Sequence, residues 1–201
     1  MKTSSSLVMA MNVKLVRLFG WFGIISPIFG FAVIFGAIST APWFSWTGNA
    51  LSDLGVSGGT SILFNSGLQM TAAVMAVFSL GIYELTKGDR LRRAAFVLSF
   101  SNAVFLALLT FFPETAGPLH RDMSVSFFLS LPLSQLVMAL YMRRRGMFRF
   151  SYFMVATAIV SILPWIPRWE AVAIPEALAA LAAGIWMAAL GYWMTRVKDE
   201  G

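Results

Sequence analysis

Six apolar runs constrain what this chain of 201 residues can fold into. They are Leu18–Ile38, Ile62–Leu85, Ala94–Phe112, Met123–Met142, Ser151–Ile166 and Glu176–Thr195. A helix needs about 20 mostly apolar residues to cross a bilayer, within a range of about 17–25. Five runs reach that length. Ser151–Ile166 is shorter and carries Pro164 near its end, where proline ends or kinks a helix. The expectation is an all-α integral membrane bundle of six antiparallel transmembrane helices. Its parts are a segment 1–17, a single transmembrane domain 18–195 and a tail 196–201.

The rest of the composition agrees. Only 12% of residues are charged, 58% are apolar, and the mean hydropathy is +0.76. A soluble domain carries about 25% charged residues, so water is the wrong solvent for this surface. The net charge of +6 does not indicate a nucleic-acid partner, because the basic residues sit in short clusters between apolar runs. With the N-terminus inside, all but Arg121 and Arg168 of the 15 basic residues fall on the inner side. That asymmetry predicts a multi-pass protein of the cell membrane with both termini cytoplasmic. Trp43, Trp46, Trp165 and Trp169 then lie near the outer boundary, as an interfacial aromatic belt does. The first run, at about 21 residues, exceeds the 7–15 of a signal-peptide core and reads as a retained anchor. The Ser- and Met-rich first ten residues are expected to be loosely ordered. There is no cysteine, which excludes disulfides, thiol catalysis and Cys-based metal sites.

Fixing the orientation gathers the scarce polar residues at one face. Trp43, Trp46, Asn49, Ser52 and Asp53 fall in the long first outer connection, Ser39–Ser61. Asn65 and Gln69 stand four residues apart on one face of the second helix. Glu114 and His120 fall in the second outer loop, and Asp122 opens the fourth helix, placed to cap it. Glu176 follows Pro175 in the first turn of the sixth, where the helix dipole favours an anion. Deeper in the membrane, Asn102 and Gln135 sit at similar depth and are expected to hydrogen-bond to each other across helices, or else to floor a polar cavity opening outward. No ionisable residue lies deep within a span, which argues against an ion-coupled pump.

Several chemistries fit these residues. His120, the one histidine of the chain, is of the residue type that suits a general base. Ser52 with His120 would form a nucleophile–base pair if the two loops meet. Asp53, Glu114, His120 and Glu176 could hold a divalent metal through mixed oxygen and nitrogen ligands. Against each stands a plain structural role. Capping explains Asp122 and Glu176, and turn formation around Gly55 explains Ser52 and Asp53.

The segment Asn49-Ala-Leu-Ser-Asp-Leu-Gly55, followed by Leu63-Phe-Asn-Ser-Gly-Leu68, resembles the signature of domain-of-unknown-function family 998. Phe112-Pro-Glu114, Gly117-Pro-Leu-His120 and Pro175-Glu176 are similar to that family too. The resemblance implies a prokaryotic six-helix membrane protein. It extends to the Frag1/DRAM group and, further off, to membrane lipid hydrolases. Among these are the zinc-dependent alkaline ceramidase and progestin-receptor-like proteins, which use several His ligands. Another analogue is the Thr/His membrane esterases, for which Ser52 or Thr47 would supply the nucleophile here.

The expected site is a polar pocket facing outward, built from Asn49, Ser52, Asp53, Asn65, Gln69, Glu114, His120 and Glu176. Trp43 and Trp46 would lie over or beside it. Its ligand is expected to be a lipid headgroup or small amphiphile from the bilayer. Three classes remain open: a membrane-embedded hydrolase of lipid esters or amides, a non-catalytic lipid binder or transporter, and a structural partner. An enzyme brings Asp53 and His120 together on a cavity. A binder extends the cavity as an apolar groove. A structural partner pairs its acids with Arg121 and Arg168 and has no cavity.

Overall fold

The computed structural model describes residues 11–198. The expected disorder of the first ten residues, and the end of the tail, lie outside them. Six helices dominate: α1 (Val13–Ser39), α2 (Ser61–Leu85), α3 (Arg92–Phe111), α4 (Pro118–Arg144), α5 (Phe148–Ile162) and α6 (Ala173–Thr195). Three short 3-10 turns, Leu51–Gly55, Glu114–Ala116 and Leu163–Trp165, sit in the connections. All six helices are long and apolar enough to cross a membrane, α5 when its span is continued to Trp165. Large apolar side chains face outward along them, such as Ile28, Leu129 and Ile185. Lipid is the solvent that such a surface fits.

The helix ends differ from the sequence expectation in informative ways. Helix α1 begins five residues early because Asn12 caps it, accepting the Leu15 N–H at 3.2 Å. Helix α4 begins at Pro118, where a missing N–H costs nothing. Gly117, at φ 62°, makes the bend that a side chain would resist. His120 and Asp122 therefore lie inside α4. Asp122 does not cap it and instead faces Arg121 at 3.7 Å on the surface. Gly146, at φ 75°, turns α4 into α5 in the same way.

Small residues decide how closely helices approach, as they do where lipid removes the hydrophobic drive between them. Helices α1 and α6 meet backbone to backbone. A Cβ on Gly191 would stand 2.5 Å from the Gly20 carbonyl oxygen and 3.1 Å from Gly23 Cα. A Cβ on Gly81 would meet that of Phe19 at 2.5 Å. Around this seam the main core packs Phe78, Ile82, Met138, Met154, Trp186 and Leu190. A second, smaller core of Ile34, Ala37, Leu51, Leu54, Phe64 and Ala173 lies beneath the Leu51–Gly55 turn.

The mid-bundle polar residues pair differently from expectation. Asn102 donates to Ser134 at 3.0 Å, joining α3 to α4. Gln135 donates to Ser161 at 3.2 Å, joining α4 to α5. Consecutive residues 134 and 135 point about 100° apart around α4, so each serves a different neighbour.

Candidate functional site

The connections α1–α2, α3–α4 and α5–α6 meet at one end of the bundle. The first is shaped by its own polar residues. Asn49 takes the Ser45 N–H on its Oδ1 at 2.9 Å and donates from Nδ2 to Asp53 at 2.7 Å. Asp53 also accepts the Ala50 N–H at 3.0 Å, closing the Leu51–Gly55 turn. Thr60 Oγ1 donates to the Leu54 carbonyl at 2.6 Å, and Asn65 Nδ2 to the Gly55 carbonyl at 2.8 Å. Gly55 is needed there, since a Cβ would stand 2.7 Å from Asn65 Oδ1. Thus Asn49, Asp53 and Asn65 hold a loop that folds back onto the helix ends.

The same loop is tied to α6. The Ala173 N–H donates to the Asn49 carbonyl at 3.0 Å. Glu176, only 7% exposed, accepts the Leu51 N–H at 2.7 Å. Glu176 was expected to serve the start of its own helix. Instead its carboxylate reaches across to the start of another segment.

Glu114 completes the cluster. Its carboxyl hydrogen-bonds with that of Asp53. This bond, then burial and the Asp53 charge, pushes the Glu114 pKa up to about 7. Burial pushes Asp53 upward as well, but the bonds from Glu114, Asn49 and Ala50 outweigh it and leave its pKa below the ordinary value. Neither these two carboxyls nor Glu176 forms a salt bridge with any described basic residue. Arg121 and Arg168 do not supply the counter-charge that a purely structural cluster calls for.

Beneath the cluster lies a cavity of about 140 Å³. Its polar members near the loop are Ser52, Asn65, His120, Ser124 and Glu176. It then runs between α1, α2, α3, α4 and α6 to Met75, Leu131 and Met187. From Asn65 to Met75 is about 15 Å along α2, so the space is narrow and long. No Lys or Arg lines it. Ser26 Oγ, buried in its wall, has no hydrogen-bond partner among the described residues.

Ser52 and His120 both line this cavity, but no hydrogen bond among the described residues joins them. His120 Nδ1 lies 2.8 Å from the Phe112 carbonyl oxygen. A carbonyl only accepts, so Nδ1 carries a hydrogen, and in the neutral ring Nε2 is then the acceptor. Gln69 is half-buried and lies outside the lining. Trp43 and Trp46 flank Phe44 edge-on, at ring distances of 6.2 and 5.4 Å, and do not line the cavity either. The four suggested metal ligands are not arranged as a coordination site: no group of three or more His, Asp or Glu among the described residues is placed to hold a metal ion. Sequence reading missed Ser26, Thr71, Thr110 and Ser124, which are ordinary helix residues until the cavity is seen.

The profile of the family described as "Protein of unknown function (DUF998)" matches residues 24–193. That is most of the chain, from within α1 to the last turn of α6. The chain belongs to this family. No curated protein and no solved structure matches it. As a DUF998 protein with six candidate spans, it is a multi-pass membrane protein. The loop motif of the family resemblance, Asn49 to Gly55, coincides with the turn that roofs the cavity.

Proposed function

We propose that this DUF998 protein binds a single-chain amphiphile. Part of the hydrocarbon chain occupies the cavity, and the head rests against Glu176, Asn65 and Ser52. The observation that carries this reading is the apolar, elongated cavity closing beneath a carboxylate cluster that has no basic partner. A cavity of similar size in a soluble protein takes a molecule as large as benzene. At 140 Å³ this one suits part of one chain rather than a whole lipid. With no Lys or Arg in the lining, a phosphate or carboxylate head meets repulsion, while an amine or hydroxyl head finds acceptors. The distribution of Lys and Arg supports placing this end outside the cell.

Thermal unfolding of the purified protein in nanodiscs tests the reading. Dodecylamine and monododecanoylglycerol should raise Tm, by the equivalent of about 2–3 kcal/mol near a hundredfold excess over Kd. Dodecyl phosphate should not. Leu68→Trp, which fills the cavity, should abolish the shift. Equal shifts for all three compounds, or shifts that survive Leu68→Trp, contradict the proposal.

A hydrolytic reading of the same pocket has one specific support. The Nδ1–H tautomer of His120 leaves Nε2 free to act as a base, and Ser52 lines the same space. Release of dodecanoate from monododecanoylglycerol, lost in His120→Asn, would establish it. Binding without release leaves the protein a binder.

A further inference from the structure

We propose that the groove between α1 and α6 is the surface on which the amphiphile's hydrocarbon chain docks from the bilayer and through which it enters the cavity. The proposal rests on the binding function argued above and adds its route.

The groove lies on the lipid-facing side of the two helices and has a volume of about 440 Å³. Ile28 and Phe35 of α1 and Leu178, Leu181 and Ile185 of α6 form its exposed walls. Pro27, Phe31 and Gly184 line both the groove and the internal cavity. The partition between the bilayer and the interior is therefore one side-chain layer thick there.

The two helices are not joined equally along their length. In one half, Gly20, Gly23 and Gly191 bring the backbones into contact, and nothing larger than hydrogen fits between them. Towards the acidic cluster the seam widens, and Pro27 and Phe31 fill it. Gly184 faces Pro27 so closely that a Cβ would stand 2.9 Å from Pro27 Cβ, and 3.5 Å from Phe31 Cε2. Pro27 has no N–H to give to the carbonyl of Gly23, so α1 lacks one rung at this level and bends there at low cost. Phe31 stacks loosely on Phe35, with ring centroids 6.0 Å apart. Rotation of one aromatic ring joins the groove to the cavity. A chain arriving this way never leaves hydrocarbon, whereas passage through the carboxylate cluster would drag it across polar groups.

Natural absence of cysteine makes the test clean. The double variant Pro27→Cys/Gly184→Cys puts two Cβ atoms 2.9 Å apart, a separation that opens by about 1 Å to reach the ~3.8 Å between the Cβ atoms of a disulfide. Dodecylamine with a terminal trifluoromethyl group is added to the protein in nanodiscs. Fluorine NMR then reads the bound population and its exchange with the bilayer. The reduced variant, rather than wild type, sets the reference rate, because Pro27 and Gly184 themselves line the route. The disulfide form should keep any ligand already bound but exchange about tenfold more slowly or less, as a locked lid does, and reductant should restore the rate. Phe31→Ala should speed exchange, and Tyr152→Ala, on the exposed surface of α5, should not. Equal rates in the oxidised and reduced forms overturn the route while leaving the pocket standing. So does an unchanged rate in Phe31→Ala. Absence of a bound resonance in wild type overturns the pocket itself, and the route with it.

Discussion

The two ends of the bundle carry similar residue types and use them in opposite ways. At the basic end, acids neutralise bases. Glu84 meets Lys87 at 3.1 Å and accepts the Asn12 N–H at 2.7 Å. Asp89 meets Arg144 at 3.3 Å, Arg17 donates to the Val197 carbonyl at 2.8 Å, and the Arg92 guanidinium lies 3.6 Å over the Tyr83 ring. Below it the core is filled by methionine, leucine and aromatic side chains. At the acidic end, Asp53 and Glu114 pair with each other, Glu176 takes the Leu51 N–H, none of the three forms a salt bridge with a described base, and a cavity lies beside Glu176. One end is closed by ordinary electrostatics. The other leaves its carboxyls without a basic partner beside empty apolar space.

The largest effect should come from the closed half. Gly191→Leu drives a side chain into the α1 backbone, with no flexible neighbour to yield. It should cost about 3 kcal/mol or more and abolish folded yield, read by size-exclusion after detergent extraction. Survival of a monodisperse protein would break the claim that this half is tightly zipped.

Next is Glu176→Ala, which leaves the Leu51 N–H buried and unpaired. A loss of about 1–3 kcal/mol is expected. Glu176→Gln keeps an acceptor for that N–H and should lose less. It should nevertheless weaken dodecylamine more than monododecanoylglycerol, which separates the loop-holding role from the ligand-facing one.

The Asp53–Glu114 pair predicts a pH dependence confined to one end. Glu114 binds its proton more tightly in the folded protein, with its pKa near 7 instead of the ordinary 4.5. Its contribution is complete below about pH 4.5 and is lost as pH rises through 7. Asp53, held below its ordinary value, contributes in the opposite sense and loses its share in strong acid. Hydrogen exchange of residues 49–57 should therefore speed up above pH 7, and Glu114→Gln should flatten the response. Equal acceleration at residues 84–92 would contradict the contrast between the ends.

The smallest effect belongs to the basic end. Arg144→Ala removes a half-exposed ion pair and should cost at most about 1 kcal/mol in thermal unfolding, less at high salt.

Much of the fold was legible before any coordinates, because length and apolarity alone mark a span. The six helices appear where the runs predict, with ends displaced by caps that composition does not reveal, such as Asn12 and Pro118. The site was half legible. That Asp53, Glu114 and Glu176 gather at one end followed from alternating spans and scarce charge. Which partner each takes did not, because capping signals are local and the Glu176–Leu51 bond spans 125 residues. Asn102 and Gln135 illustrate the same limit: equal depth does not fix the direction a side chain points around its helix. The apolar depth of the cavity had no residue-level signal, since Leu106 or Met75 beside a void reads like any other apolar residue.

Accessibility of Ser52 tests the central claim most directly. In intact cells, Ser52→Cys should react with a membrane-impermeant maleimide, and dodecylamine should slow that reaction. Arg90→Cys, at the basic end, should react only after lysis. Labelling of Arg90→Cys before lysis, or a Ser52→Cys rate indifferent to dodecylamine, would contradict an externally facing amphiphile pocket beneath the acidic loop.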